Sequence, residues 1–217
     1  SRGLGDVYKR QEYVTAGLGD YCAHDLRRPE IWDKIEEDIE NDVYSFIVMG
    51  PECRTWSRVR GLGFGPRKLR TLPELWARFG MTYTASEQEA LYWGSYWVIA
   101  CARIMQLCHN NEVGFLYENP GKVKGLPSAF FTPEMMQIAM LDGVESIRLD
   151  QCMFGARTRK PTDVLVYAKG ADDLLAQLRL MICDHSDPHE QLIGQDASGR
   201  WNTCLLYTSP SPRDHPR

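Results

Sequence analysis

The run Tyr44-Ser45-Phe46-Ile47-Val48-Met49 stops at Gly50-Pro51-Glu52-Cys53-Arg54-Thr55-Trp56-Ser57, so a thiol stands where an uncharged, strand-like segment opens into a polar loop. A run without charge suits a strand covered on both faces inside a parallel sheet. Such sheets gather ligands at the carboxyl ends of their strands. Gly50 permits a sharp turn and Pro51 fixes φ close to the sulfur, which predicts a single held pose for Cys53. Nucleophiles need that restriction.

The segments around this strand alternate in character. Pro29 marks a first helical turn, and Ile31, Ile35 and Ile39 recur every four residues among Glu30, Asp33, Lys34, Glu36, Glu37 and Asp38, a surface helix with one buried stripe. The Gly- and Arg-rich stretch over residues 54–80 has no clean period and is too long for an idle connection. Ser86-Glu87-Gln88-Glu89 has capping-box spacing and predicts the start of a long helix carrying Leu91, Val98, Ile99, Ala102, Met105 and Leu107. Residues 113–117 read as a second buried strand, ending in Glu118-Asn119-Pro120. Thr132-Pro133-Glu134 caps a shorter helix, residues 146–149 and 162–168 read as strands around a polar loop, and residues 171–182 read as a last helix. This alternation predicts an α/β fold with a doubly wound, mostly parallel sheet.

The chain of 217 residues, 43% hydrophobic, is long enough for one such domain and has no apolar run of membrane-spanning length. Seven cysteines, an odd number at irregular spacings, fit reduced thiols of a cytoplasmic or nuclear compartment better than a disulfide framework. A net charge of -4 argues against a generally basic coat on nucleic acid. Residues 1–11 and 205–217 lack any core-forming pattern and resemble translated sequencing-adapter sequence. The expected domain therefore covers residues 12–204, as a piece cut on both sides.

Three segments, in order, resemble motifs of the DNA cytosine-5 methyltransferases. They are Gly50 to Ser57, Tyr117-Glu118-Asn119-Pro120, and Asp150-Gln151-Cys152-Met153-Phe154-Gly155-Ala156-Arg157-Thr158-Arg159-Lys160-Pro161. The resemblance implies a Rossmann-like methyltransferase fold and methyl transfer from S-adenosylmethionine to carbon 5 of cytosine in DNA. Carbon 5 is a poor nucleophile until a thiolate adds at carbon 6. By the resemblance Cys53 is that thiolate, Glu118 binds the pairing edge of the base, and Arg157 and Arg159 add positive charge at the site. Sulfur and carboxylate are expected to converge on one pocket. Glu52, Pro120 and Phe154 depart from the family pattern where it has proline, valine and tyrosine, and none of these changes removes a reacting group.

The resemblance also places Asp25, Gly50 and Pro51 at the methyl donor, with the glycine-rich donor turn expected upstream of the chain. From Arg54 to Arg78 there are seven basic residues against one acid, Glu74, so Arg54, Ser57, Arg58, Arg60, Arg67, Lys68 and Arg70 are expected to meet a phosphate backbone. Trp56, Phe64 and Trp76 interleave with them as stacking surfaces for an extruded base. Cys183, His185 and His189 have metal-ligand spacing but lack a fourth ligand, so no structural metal is expected. Two other readings remain open. One is a non-catalytic nucleic-acid-binding remnant of a mobile-element protein, and the other a cysteine hydrolase using Cys53 with His24 or His109 as base.

Overall fold

A computed structural model describes residues 26–57, 60, 67–72, 74–77, 80–156, 158–186 and 188–189. Both chain ends, and with them Asp25, His24 and the adapter-like segments, lie outside the described residues, as do Arg58, Phe64 and Arg157. The chain divides into two compact units, residues 1–44 and 45–217.

In the first unit, helix α1 (Pro29–Glu40) starts with proline in its first turn, where the missing N–H is no loss. Ile39 is fully buried, and Ile31 and Ile35 are half-buried, which is the stripe that the four-residue spacing predicts. Lys34 donates to Asp38 at 2.7 Å, and the Tyr44 hydroxyl donates to the same carboxylate at 3.0 Å.

The second unit is built on a four-stranded sheet. Its strands are β1 (Phe46–Met49), β2 (Gly114–Pro120), β3 (Val144–Asp150) and β4 (Pro161–Tyr167), in the order β1-β2-β4-β3. Only β1 and β2 are parallel; β4 runs antiparallel to both β2 and β3. The expectation of a doubly wound, mostly parallel sheet is thereby corrected to a small mixed sheet. Among the described residues β1 pairs on one side only, and Val48 is 54% exposed, so it is not a strand covered on both faces.

Helix α2 (Ala85–Asn110) opens at Thr84, two residues before the predicted cap, with the Thr84 side chain and Glu87 closing a capping box. Thr132 caps α3 (Pro133–Ala139), and α4 (Asp172–Arg179) follows β4. Side-chain alternation gives the sheet two apolar faces. Leu116, Ile147, Leu149, Val164 and Val166 meet Leu175 and Leu178 of α4. On the other face the Tyr117 ring lies edge-on to Phe130 at 5.6 Å, and Phe115 packs against Tyr167.

Candidate functional site

Because β1 and β2 are parallel neighbours with Met49 paired to Tyr117, their carboxyl ends leave the sheet along one edge. A Cβ placed on Gly50 would lie 3.6 Å from Glu118 Oε2, so the two sequence motifs come close there. Beyond Gly50 the chain turns through Cys53 to Trp56, closed by the Trp56 amide donating to the Cys53 carbonyl at 2.9 Å. The turn is fastened to α2. The Trp56 indole N–H donates to the Gly94 carbonyl at 2.9 Å, and Thr55 Oγ1 occupies the space that a side chain at position 94 would need.

Glu118 takes the face of Leu116. Its Oε1 accepts from Lys160 Nζ at 3.2 Å and from Gln151 Nε2 at 3.3 Å, while Oε2 is the oxygen turned toward Gly50. The carboxylate edges a cleft of about 400 Å³ with a floor of Leu116, Leu149, Val164 and Leu178 and a rim that includes Gln151 and Phe154. An apolar floor with a few convergent polar groups is the usual form of a small-ligand site. Cys53 does not line this cleft. The expected single pocket is thus replaced by a shared strand edge, with the carboxylate opening to one face and Cys53 6% exposed.

Tyr117 and Asn119 point to the opposite face from Glu118, and both are fully buried. Among the described residues the Tyr117 hydroxyl and both polar atoms of the Asn119 amide have no hydrogen-bond partner. Burial pushes the Tyr117 hydroxyl well above its ordinary pKa, and Cys101, Glu118 and Cys53, each near enough to act on it, raise it further. Each such unpartnered buried group costs about 1–3 kcal/mol. Burial lifts the Cys101 and Cys108 thiols to about 12, so neither supplies thiolate near neutral pH.

Several described basic residues of the 54–78 stretch have partners within the chain, and one of them is buried. Arg70, expected to bind nucleic acid, is fully buried: it donates to Thr55 Oγ1, Ser95 Oγ and the carbonyls of Leu75, Trp76 and Leu91. Desolvation lowers its pKa to about 9. Trp56, expected to stack on a base, is likewise buried. Arg67 grips both carboxylate oxygens of Glu87, Arg54 pairs with Glu52 at 2.7 Å, and Arg60 donates to the carbonyls of Arg54 and Arg67. The acids that pair with Arg54 and Arg67, Glu52 and Glu87, lie outside residues 54–78. Ser57 and Lys68 are half-buried.

Arg159 is directed to Asp150, with Nη2 on Oδ2 at 3.3 Å, so its charge serves that buried carboxylate. His109, one proposed hydrolase base, donates from Nε2 to the Asp142 carbonyl at 2.8 Å and packs on Tyr167. Tyr167 pairs with Phe115, three residues and about 10 Å along β2 from Glu118, at the end of the sheet away from Cys53. Sequence reading missed Lys160 and Gln151, whose only signal is their place in the loop before β4, and missed that Asn119 is buried. In comparisons with known proteins no family model matches the chain, nor does any curated sequence or solved structure. No helix of the described residues is long and apolar enough to cross a membrane.

Proposed function

We propose that the Cys53 and Glu118 strand ends form the base-modifying edge of a cytosine-5 methyltransferase acting on DNA. The observation that carries this reading is the approach of Glu118 Oε2 to Gly50, 3.6 Å from where a Cβ there would lie, which brings the thiol loop near a carboxylate at the ends of two parallel strands. Glu118 would hold the pairing edge of an extruded cytosine in the cleft beside Phe154, with Lys160 and Gln151 fixing its carboxylate. Addition of the Cys53 thiolate to carbon 6 would make carbon 5 nucleophilic; once carbon 5 carries the methyl group, loss of its proton to solvent would expel the thiolate and restore the ring. S-adenosylmethionine supplies the methyl group when bound. By the resemblance Gly50 and Pro51 would meet the donor, and Asp25 lies outside the described residues.

The low exposure of Cys53 sets a requirement: the turn from Cys53 to Trp56 must lift for thiol and base to meet. A duplex carrying 5-fluorocytosine, incubated with the protein and S-adenosylmethionine, tests the reading. A covalent adduct mapped to Cys53 and absent in Cys53→Ser supports it, and unchanged labelling of that variant overturns it. Duplex binding without any adduct would instead leave the non-catalytic remnant, the reading that the 6% exposure of Cys53 favours.

A further inference from the structure

Cys152 stands in the short 3-10 turn Gln151–Phe154 that follows β3, and it is buried. Cys183, His185 and His189 come from the segment after α4. The structure brings one ligand atom from each of these four residues within 4.8 Å of all the others. Cys183 Sγ lies 3.4 Å from His189 Nε2, and the His185 and His189 rings are stacked at 5.7 Å with 24° between their planes. Four-coordinate zinc, with Zn–S near 2.3 Å and Zn–N near 2.0–2.1 Å, requires an S to N edge of about 3.6 Å. The Cys183 to His189 edge already has that length, and the longest edge needs to contract by only about 1 Å.

We propose that Cys152, Cys183, His185 and His189 bind a structural zinc ion. Two thiolates neutralise the divalent charge, and two imidazoles complete a closed tetrahedral set of the kind that stabilises folds and leaves no position for a reacting water. The surroundings suit that role. Asp150 accepts the backbone N–H of Cys183 at 3.0 Å and so orients a ligand from the second sphere, and the Asp150 amide donates to the Met181 carbonyl at 2.7 Å. The ion would fasten residues 181–189 to the end of β3. It would also brace the turn that carries Gln151, which bonds Lys160 through its backbone and Glu118 through its side chain. The local ligand spacing in the sequence lacked its fourth member because Cys152 comes from the far side of β4 and α4.

The full chain, purified from zinc-supplemented cells under reducing conditions, should carry one zinc per molecule by elemental mass spectrometry. Replacement by Co2+ should give the strong visible bands of a tetrahedral ion with a thiolate charge-transfer band. Cys152→Ser and His185→Ala should each weaken Zn2+ binding by more than the roughly 100-fold that loss of an outer-sphere partner produces. Cys101→Ser, which alters a buried thiol on α2, should retain the ion. Should the ligand variants fail to fold, the unaltered protein decides: zinc should protect Cys152 and Cys183 from alkylation until a chelator is added. Substoichiometric zinc, an octahedral cobalt spectrum, full zinc retention in Cys152→Ser, alkylation indifferent to the chelator, or a Cys152–Cys183 disulfide in the purified protein would each overturn the proposal.

Discussion

The Arg70 guanidinium lies 3.8 Å from the centre of the Trp56 ring, a buried cation seated on the indole that anchors the thiol turn. Its planar fork serves five acceptors from three different segments, a task beyond an ammonium group with three donors. Arg70→Ala should destabilise the second unit by about 3–5 kcal/mol, because the Thr55 hydroxyl and the carbonyls of Leu75, Trp76 and Leu91 would lose a buried partner. Arg70→Lys should recover only part of that. Urea titration followed by tryptophan fluorescence gives the numbers, and a variant as stable as the parent would show that Arg70 faces solvent after all.

Gly94 is needed because helix and turn approach closely, not because of its backbone angle. An added Cβ would sit 2.4 Å from Thr55 Oγ1 and 3.1 Å from Arg70 Nη2. Gly94→Ala should therefore cost about 1–3 kcal/mol despite the better helix propensity of alanine. Combined with Thr55→Ala, which clears the nearest atom, part of the loss should return. Additive effects in this double-mutant cycle would place the strain elsewhere.

Glu87 governs the acid response of the α2 start. Hydrogen bonds from Arg67 first, and then from the Thr84 backbone, hold its pKa down to about 2, against an ordinary carboxylate value near 4.5. A folded-state pKa below the unfolded one gives stability that is complete above the unfolded value and disappears as pH falls through the folded one. Between about pH 4.5 and pH 2 the parent should lose melting temperature progressively. Glu87→Gln should begin lower and show a flatter profile across that window in a pH series of thermal melts.

Tyr117→Phe removes a hydroxyl that has no partner among the described residues and sits in a fully buried position. The variant should be more stable than the parent by about 1 kcal/mol, the reverse of the usual outcome for a buried tyrosine. Chemical denaturation reads this directly. A loss of stability would mean that the hydroxyl is bonded in solution.

Side-chain pattern made the elements legible but not their directions. Every residue of β4 from Thr162 to Tyr167 is buried, so the strand carries no alternation, and such a run reads the same whichever way its neighbours point. The four-residue spacing of Ile31, Ile35 and Ile39 located α1, and the Thr132-Pro133 cap located α3, because both signals are local. The candidate site divides the same way. The neighbouring ends at Gly50 and Glu118 follow from two strand-like runs with polar exits. The fate of Arg54, Arg67 and Arg70 depended on Glu52, Glu87 and a set of distant carbonyls, and a count of charge along the chain does not register such partners. Cys152 was obscured for the same reason, since nothing local ties it to the histidines after α4.

Among the described strands the last in sequence, β4, lies in the middle of the sheet rather than at its margin. As the chain leaves the ribosome, β2 and β3 have no hydrogen-bonded contact with one another, and the β1–β2 ribbon alone is too small to persist in water. Residues 161–167 supply the strand that pairs with both β2 and β3. A chain interrupted ahead of Pro161 would thus lose the keystone strand that joins β2 to β3.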